Sequence, residues 1–379
     1  EVYGDGLDRL RQFKGKRVIL TPNHAEATEP YIVFQLSKML KQEFNYLTAK
    51  EVFEAYFPAG RLLQALGCYS VARGMPDRNA MRVTTNILVA GRRWLVIFPE
   101  GVAGGLSEAL MPFQPGLGQF AHRAHEELRK KGDKAPIYFV PLAIKTIYGR
   151  PMESAIDAAL GRLEAALLPH PPSHAITRRD RLLGLGQALL EAHEKEQGLG
   201  PNKAAPLAQR VQDMKELIIT QTAGAMGVQE KPNQILPDRI RDLINRLDRT
   251  IYKPAGGTMY EQKLQGLDRE EARMLRARLN TAINFMALDA CYLEQALTTE
   301  RFLDLVGLLE TEVFGRRKFW GMRKAVIKVG EPVDFGAFVA KHGADRRNAS
   351  QDIVRTIESS VRSMLGELSA LCTPLEEEP

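Results

Sequence analysis

Two short turns carry side chains whose types suit proton transfer. The first, Asn23-His24-Ala25-Glu26-Ala27-Thr28-Glu29, follows the strand-like run RVILTP (17–22) and precedes a helix-like run beginning at Pro30. A histidine there sits beyond the carboxyl end of a strand, where α/β folds expose reactive groups. Glu29, five positions on across a tight turn, can accept one ring N–H and fix the tautomer. The other ring nitrogen is then free to take a proton from a substrate hydroxyl. The same two residues could instead only cap the helix. The second turn is Phe98-Pro99-Glu100-Gly101, closing the buried run WLVIFP (94–99). Its carboxylate meets the His24 turn if the two strands lie close in one sheet. Gly101, Gly104 and Gly105 let the backbone approach a ligand and turn N–H groups toward an anion, although a plain strand exit would look the same.

Such turns need strands and helices to hold them, and the first 150 residues alternate the two, which predicts an α/β layered domain. After RVILTP come a helix over PYIVFQLSKMLKQ (30–42) and another beginning TAKEVFEAY (48–56), where Thr48 and Glu51 have capping-box spacing. CYSVAR (68–73) reads as a strand and NAMRVTTNILVAG (79–91) as a helix ending at Gly91. WLVIFP, the helix GQFAHRAHEELRKKG (118–132) and the buried strand IYFVPLAI (137–144) follow. From 151 to 320 helical periodicity dominates, broken by joints such as LPHPPS (168–173) and GLGPNKAAP (198–206). Its longest helices are expected over 237–252, with Ile240, Leu243, Ile244 and Leu247 on one face, and from Asp268 to Leu297. KAVIKVGEPVDF (324–335) returns to strand pattern. A last helix follows, capped by Asn348 or Ser350, with Ile353, Ile357, Val361, Met364, Leu365 and Leu368 on one face. The expected organisation is a discontinuous domain of residues 1–150 and 321–372, a helical insertion at 151–320, and a disordered acidic tail at 373–379.

The chain has 379 residues, 44% of them hydrophobic and 26% charged, with a formal net charge of +6. That excess favours anionic partners, lipid headgroups or phosphates above all. Nucleic acid is excluded as a partner because the cations are scattered and no helix-turn-helix, zinc finger or RNA-binding aromatic motif is present. Cys68, Cys291 and Cys372 lie far apart, giving neither a metal motif nor a disulfide framework, so a reducing compartment is expected. The opening EVYGDGLDRL is charged and shows no secretory signal, and without an initiator methionine an anchor ahead of it stays open. No apolar run is long enough to span a bilayer, so work on lipid implies a cytoplasmic protein peripheral to the membrane. The stretch Arg316 to Lys324, with Phe319, Trp320 and Met322 among cations, suits a headgroup boundary as well as it suits a basic edge leading into a strand. His122 and His125 share one helix with Glu126 and Glu127 but lack a third ligand, so they read as a solvated face and no metal is expected. His170 and His174 read as loop residues.

Taken in order, these pieces resemble the glycerolipid acyltransferase family, whose best-known members are the lysophosphatidate acyltransferases. The family's Asn-His-x4-Asp matches Asn23, His24 and Glu29. Its glycine followed six residues later by arginine matches Gly67 and Arg73. Phe-Pro-Glu-Gly matches Phe98 to Gly101, and a Val-Pro step in a buried strand matches Val140 and Pro141. Pro112-Phe113-Gln114-x-Gly116 resembles the family's Pro-Phe-Lys-x-Gly link. The likeness covers residues 7–150, with 324–372 similar to the family's usual ending.

The resemblance implies a layered sheet with flanking helices and O-acyl transfer from acyl-CoA or acyl-carrier protein to the free hydroxyl of a lysophosphatidate-like glycerolipid. His24 would be the general base, oriented by Glu29. Asn23, Arg73, Glu100 and Gly101 would bind substrate, Arg73 by holding an acceptor phosphate. No cofactor is implied, since the thioester already supplies an activated carbonyl. Two positions depart from the pattern: Glu29 replaces aspartate, and Val102-Ala103 replaces Thr-Arg. The second removes a cation from the acceptor site, for which Arg92, Arg93 or a residue of the insertion would have to substitute. Other readings are a glycerol-3-phosphate or non-phosphorylated lyso-lipid acyltransferase and, from a different class, a catalytically silent lipid-binding scaffold.

Overall fold

The apolar runs around the two turns become the centre of one sheet. In the computed structural model, which describes residues 1–55, 60–170, 176–200, 205–229, 233–253, 256–285, 297–341 and 346–375, β1 (Arg17–Pro22) lies between β4 (Trp94–Val96) and β5 (Ile137–Tyr148). β2 (Phe44–Ala49) and β3 (Cys68–Val71) extend the sheet beyond β4, and β6 (Arg323–Val329) closes the opposite edge. The strand order is β3-β2-β4-β1-β5-β6. The first five run parallel, whereas β6 and the short β7 (Val333–Asp334) pair antiparallel with β5. In register, Ile19 and Leu20 pair with Leu95 and Val96. His24 and Glu100 therefore leave neighbouring strands at the same, carboxyl-terminal end.

Helices cover both faces, as a parallel sheet requires. One face packs under α1 (Gly6–Arg11) and α2 (Glu29–Leu40), with Leu10, Val33, Leu36 and Leu40 against Val18, Leu20 and Val96. The other lies under α5 (Arg78–Ala90), α6 (Gly116–Lys130), α13 (Phe335–Lys341) and α14 (Arg346–Ser369), with Ile353, Ile357, Val361 and Leu365 inward. Between β5 and β6 the chain forms α7 (Glu153–Leu167), α8 (Arg178–Glu196), α9 (Leu207–Ala225), α10 (Leu236–Ile251), α11 (Met259–Asn284) and α12 (Thr299–Phe314). These helices bury two further cores. One joins α7, α8, α9 and α12 to Leu106 and Tyr148, and the other joins α9, α10 and α11 to Val102.

Several expectations need correction. Thr48 lies in β2, whose register with β3 and β4 outweighs the capping-box spacing; the helix there, α3 (Lys50–Ala55), starts after the strand and precedes α4 (Gly60–Ala65). α11 begins at Met259, nine residues before Asp268, because Thr258 and Glu261 form a capping box. Its expected extension to Leu297 crosses 286–296, outside the described residues, as are Cys291 and His174. Asn348 and Ser350 lie inside α14 and not ahead of it. In the tail, Thr373 accepts from the Thr299 amide (2.9 Å) and the Leu375 amide donates to Leu297 (3.0 Å), so burial of Cys372 and Leu375 orders residues 373–375; 376–379 lie outside the description. His122 and His125 are half-buried, their rings 6.3 and 5.7 Å from that of Phe335, and do not form a solvated face.

The sheet cover includes one contact with no spare room. A Cβ on Gly118 of α6 would stand 2.3 Å from the Ser350 carbonyl oxygen of α14, whereas one on exposed Gly161 of α7 would meet nothing within 4 Å. Gly118→Ala is therefore expected to lower unfolding free energy by about 1–3 kcal/mol through overpacking. Gly161→Ala should raise it by up to about 1 kcal/mol through helix propensity. Denaturant midpoints of the two variants check both signs.

Candidate active site

The His24 turn is held by carboxylates. Nδ1 of His24 lies 3.3 Å from Oε2 of Glu29, and both Glu29 oxygens accept the Glu26 amide at 2.9 Å. Glu26 precedes α2, and Thr28 occupies the N-cap without a side-chain bond, so Glu29 braces the turn rather than capping the helix. Glu29 is almost fully buried while a fifth of the His24 side chain remains open, against the ring of Phe98 at 4.7 Å. Contact of Nδ1 with Glu29 leaves Nε2 on the other side of the ring.

Glu100 joins the second turn to the first. One of its oxygens accepts the backbone N–H of His24 and the other that of Met111 (2.8 Å). The loop after Gly101 thereby wraps over the His24 turn, where the amides of Gly104 and Gly105 donate to the carbonyls of His24 (3.1 Å) and Ala25 (2.9 Å). Gly101 has φ +76, which a residue with a Cβ rarely adopts, so the glycine permits the reversal after Glu100. Burial pushes the Glu100 carboxyl up to about 7, although the two amide donors and His24 oppose the shift.

The remaining expected site residues fall into two groups. Arg73 leaves β3 and reaches the same loop, its Nη1 donating to the Gly101 carbonyl (2.9 Å). Gly67 opens that strand at a point where a Cβ would lie 2.4 Å from the Phe44 carbonyl. Asn23 faces away from solvent: its side chain donates to the Ile144 carbonyl (3.1 Å) and accepts the Ile144 amide (2.7 Å), pinning the end of β1 to β5. Arg93 is remote, paired with Glu43 (2.9 Å) ahead of β2 and β4, and the Arg92 carbonyl accepts from Gln42 there. These two arginines stand at the amino ends of the strands and cannot replace the cation missing at Val102-Ala103.

The long-range charge partners around the site were not visible in the sequence. Glu26 accepts from Arg323 (2.9 and 2.5 Å) and Arg317 (3.2 Å), and Arg317 also meets Asp304 of α12 (3.1 Å). Burial alone would raise the Glu26 carboxyl, but these two arginines hold it below its ordinary value. Behind the loop, fully buried Lys145 meets Glu108 (2.6 Å) and Ser107 (2.7 Å), and Glu108 pairs also with Arg301. From α10, Arg241 donates to the Pro112 carbonyl (2.7 Å) and faces the Gln114 amide. Of these acids only Glu26 and Glu108 sit in or beside the two turns, whereas Asp304 and the cations come from distant parts of the chain.

His24, in contact with the buried Glu29 carboxylate, thus stands beside a glycine-bearing loop at the carboxyl end of the parallel sheet. Residues 2–145, which carry every element of it except the partners from the helical segment and β6, match the Acyltransferase family. The match supports an acyltransferase and acyl transfer as its general activity. No curated protein matches the chain. Among the described residues no helix is long and apolar enough to cross a membrane, and no three His, Cys, Asp or Glu are grouped to hold a metal ion.

Two substitutions test this geometry. The unfolded carboxyl of Glu100 ionises near 4.5 and the folded one near 7, so the native state holds the extra proton between those values. Stability conferred by that proton is full below 4.5 and declines as pH rises toward 7. Glu100→Gln should flatten this decline in denaturant midpoints measured across the same window; equal slopes for both proteins would contradict the burial argument. Asn23→Ala strands the Ile144 amide and carbonyl and should cost about 1–3 kcal/mol of stability by the same measurement.

Proposed function

We propose that the chain moves a fatty acyl group from a thioester, acyl-CoA or acyl-carrier protein, to the free hydroxyl of a glycerol-type lipid. The His24–Glu29 contact (3.3 Å) carries this reading. Nε2 of His24 takes the proton of the acceptor hydroxyl as its oxygen attacks the thioester carbonyl. The tetrahedral intermediate collapses by breaking the C–S bond, and the imidazolium returns the proton to the departing thiolate. Glu29 holds the ring and stabilises its charge. A donor aimed at the developing oxyanion would contribute about 3–4 kcal/mol, a role that the Gly101, Gly104 and Gly105 amides do not fill, since they donate to the carbonyls of Phe98, His24 and Ala25. The thioester is already activated, so the reaction as written needs no metal or redox cofactor.

Glu100 and Arg73 act on this reading as positioning residues, the first through the His24 amide and the second through the Gly101 carbonyl. Asn23 fixes the strand beneath. The enzyme is taken to work peripherally at an anionic membrane surface, with Phe319 and Met322 exposed beside Arg316 and Lys318 as the contact. Trp320 is buried and contributes to packing instead. The discontinuous domain of 1–150 and 321–372 is supported by the pairing of β6 with β5 across the helical segment.

Thiol release from acyl-CoA in the presence of monoacyl glycerolipids tests the proposal. Release should depend on the acceptor, and His24→Ala should lower it about 100- to 10,000-fold while leaving the circular dichroism spectrum unchanged. Equal silence of wild type and variant with both CoA and carrier-protein donors would favour a lipid-binding scaffold.

A further inference from the structure

Arg73, the residue expected to hold an acceptor phosphate, has its guanidinium already engaged by this chain. Besides donating to Gly101, it pairs through Nη2 with Asp248 of α10 (2.8 Å), and its Nε faces Glu51 of α3 at 3.6 Å. The second Asp248 oxygen lies 3.4 Å from Nε of Arg276 on α11. Both carboxylates are nearly buried, Glu51 being 7% and Asp248 9% exposed, so their charges are poorly screened. Arg73 and Arg276 thus balance the two carboxylates they contact, and Arg273 borders the groove beside them.

The cluster separates two spaces. On one side, a cavity of about 280 Å³ is lined mainly by apolar side chains, among them Val102, Ala103, Met111, Ile240 and Ile244, with buried Lys215 also in its wall. On the other, an open groove of about 600 Å³ is bordered by Glu51, Tyr252, Arg273 and Asn280. The position usually held by a second arginine is Ala103, part of the apolar wall. α10 seats closely here, since a Cβ on Gly74 would stand 2.9 Å from Cβ of Asn245. Asp248 is thus carried on a helix packed through Leu243, Ile244 and Leu247.

A phosphomonoester approaching Arg73 meets the Asp248 carboxylate at that guanidinium and Glu51 beside it. Binding would have to break the Arg73–Asp248 pair and place like charges in contact inside a partly desolvated site. A hydroxyl group faces no such conflict, because it donates to a carboxylate and accepts from a guanidinium without separating them. We infer that Asp248 is a charge filter: the site beside Arg73 takes an uncharged, hydroxyl-bearing head group and rejects a phosphomonoester. The mainly apolar cavity behind it suits the hydrocarbon part of such a ligand. The inference deepens the acyl-transfer reading and rests on it for the identity of the reaction.

The test compares the full-length wild type with Asp248→Asn and Glu51→Gln. In calorimetric titration with sn-glycerol 3-phosphate, Asp248→Asn should bind at least tenfold more tightly than wild type, and Glu51→Gln should shift in the same direction by less. In thiol release, wild type should show a kcat/KM at least tenfold higher with monoacylglycerol than with lysophosphatidate, and Asp248→Asn should shrink that ratio at least tenfold, mainly through KM. Wild type that binds glycerol 3-phosphate as tightly as Asp248→Asn overturns the filter, as does an initial preference for lysophosphatidate that the variant leaves intact. Should Asp248→Asn fail to fold by circular dichroism, a Glu51→Gln titration identical to wild type overturns it. Absence of thiol release with every acceptor would sink the acyl-transfer reading alone, because the titration still decides the filter.

Discussion

One carboxylate ties together the two turns on which the site depends. Glu100, 1% exposed at the end of β4, takes the backbone N–H of His24 with one oxygen and that of Met111 with the other. Without it, the amides of His24 and Met111 would each lose their acceptor. Burying a carboxylate is unfavourable, and the protein offsets that cost only in part, which is why the group ionises so reluctantly. The arrangement is stiff because both turns leave adjacent parallel strands whose register is set by buried Ile19, Leu20, Leu95 and Val96.

Charge does for the periphery what Glu100 does for the centre. Glu26, Glu108 and Asp248 each sit beside the reactive turns or the loop between them, and each is met by arginine from a distant part of the chain or, for Glu108, by lysine as well. The helical segment between β5 and β6 is therefore built into the site: Arg301 and Asp304 reach the loop from α12, Arg241 and Asp248 from α10. The loop answers in kind, since Val102 packs into the core formed by α9, α10 and α11.

How far the sequence foretold this arrangement follows the range of each interaction. The His24–Glu29 pair spans five residues and was visible as spacing, and the long apolar runs announced β1 and β5 because strands buried on both faces carry no polar alternation. β2 escaped notice because its burial is partial and its Thr48 mimics a helix cap; only pairing with β3 and β4 makes it a strand. Asn23 resembles a ligand-facing residue, and the partner that turns it inward, Ile144, lies 121 positions away. Arg73–Asp248 and Glu26–Arg323 are separated by 175 and 297 positions, beyond anything local pattern conveys.

The Glu26–Arg323 contact also sets an order in time. A ribosome adds about 5–20 residues per second, so the 297 positions between the two side chains correspond to roughly 15–60 s of synthesis. Throughout that interval the histidine turn can form with its local carboxylates, but its outer brace has not been made, and β5 has no β6 along its edge. The nascent protein thus carries the His24 turn early and braces it late, when β6 emerges and pairs with β5.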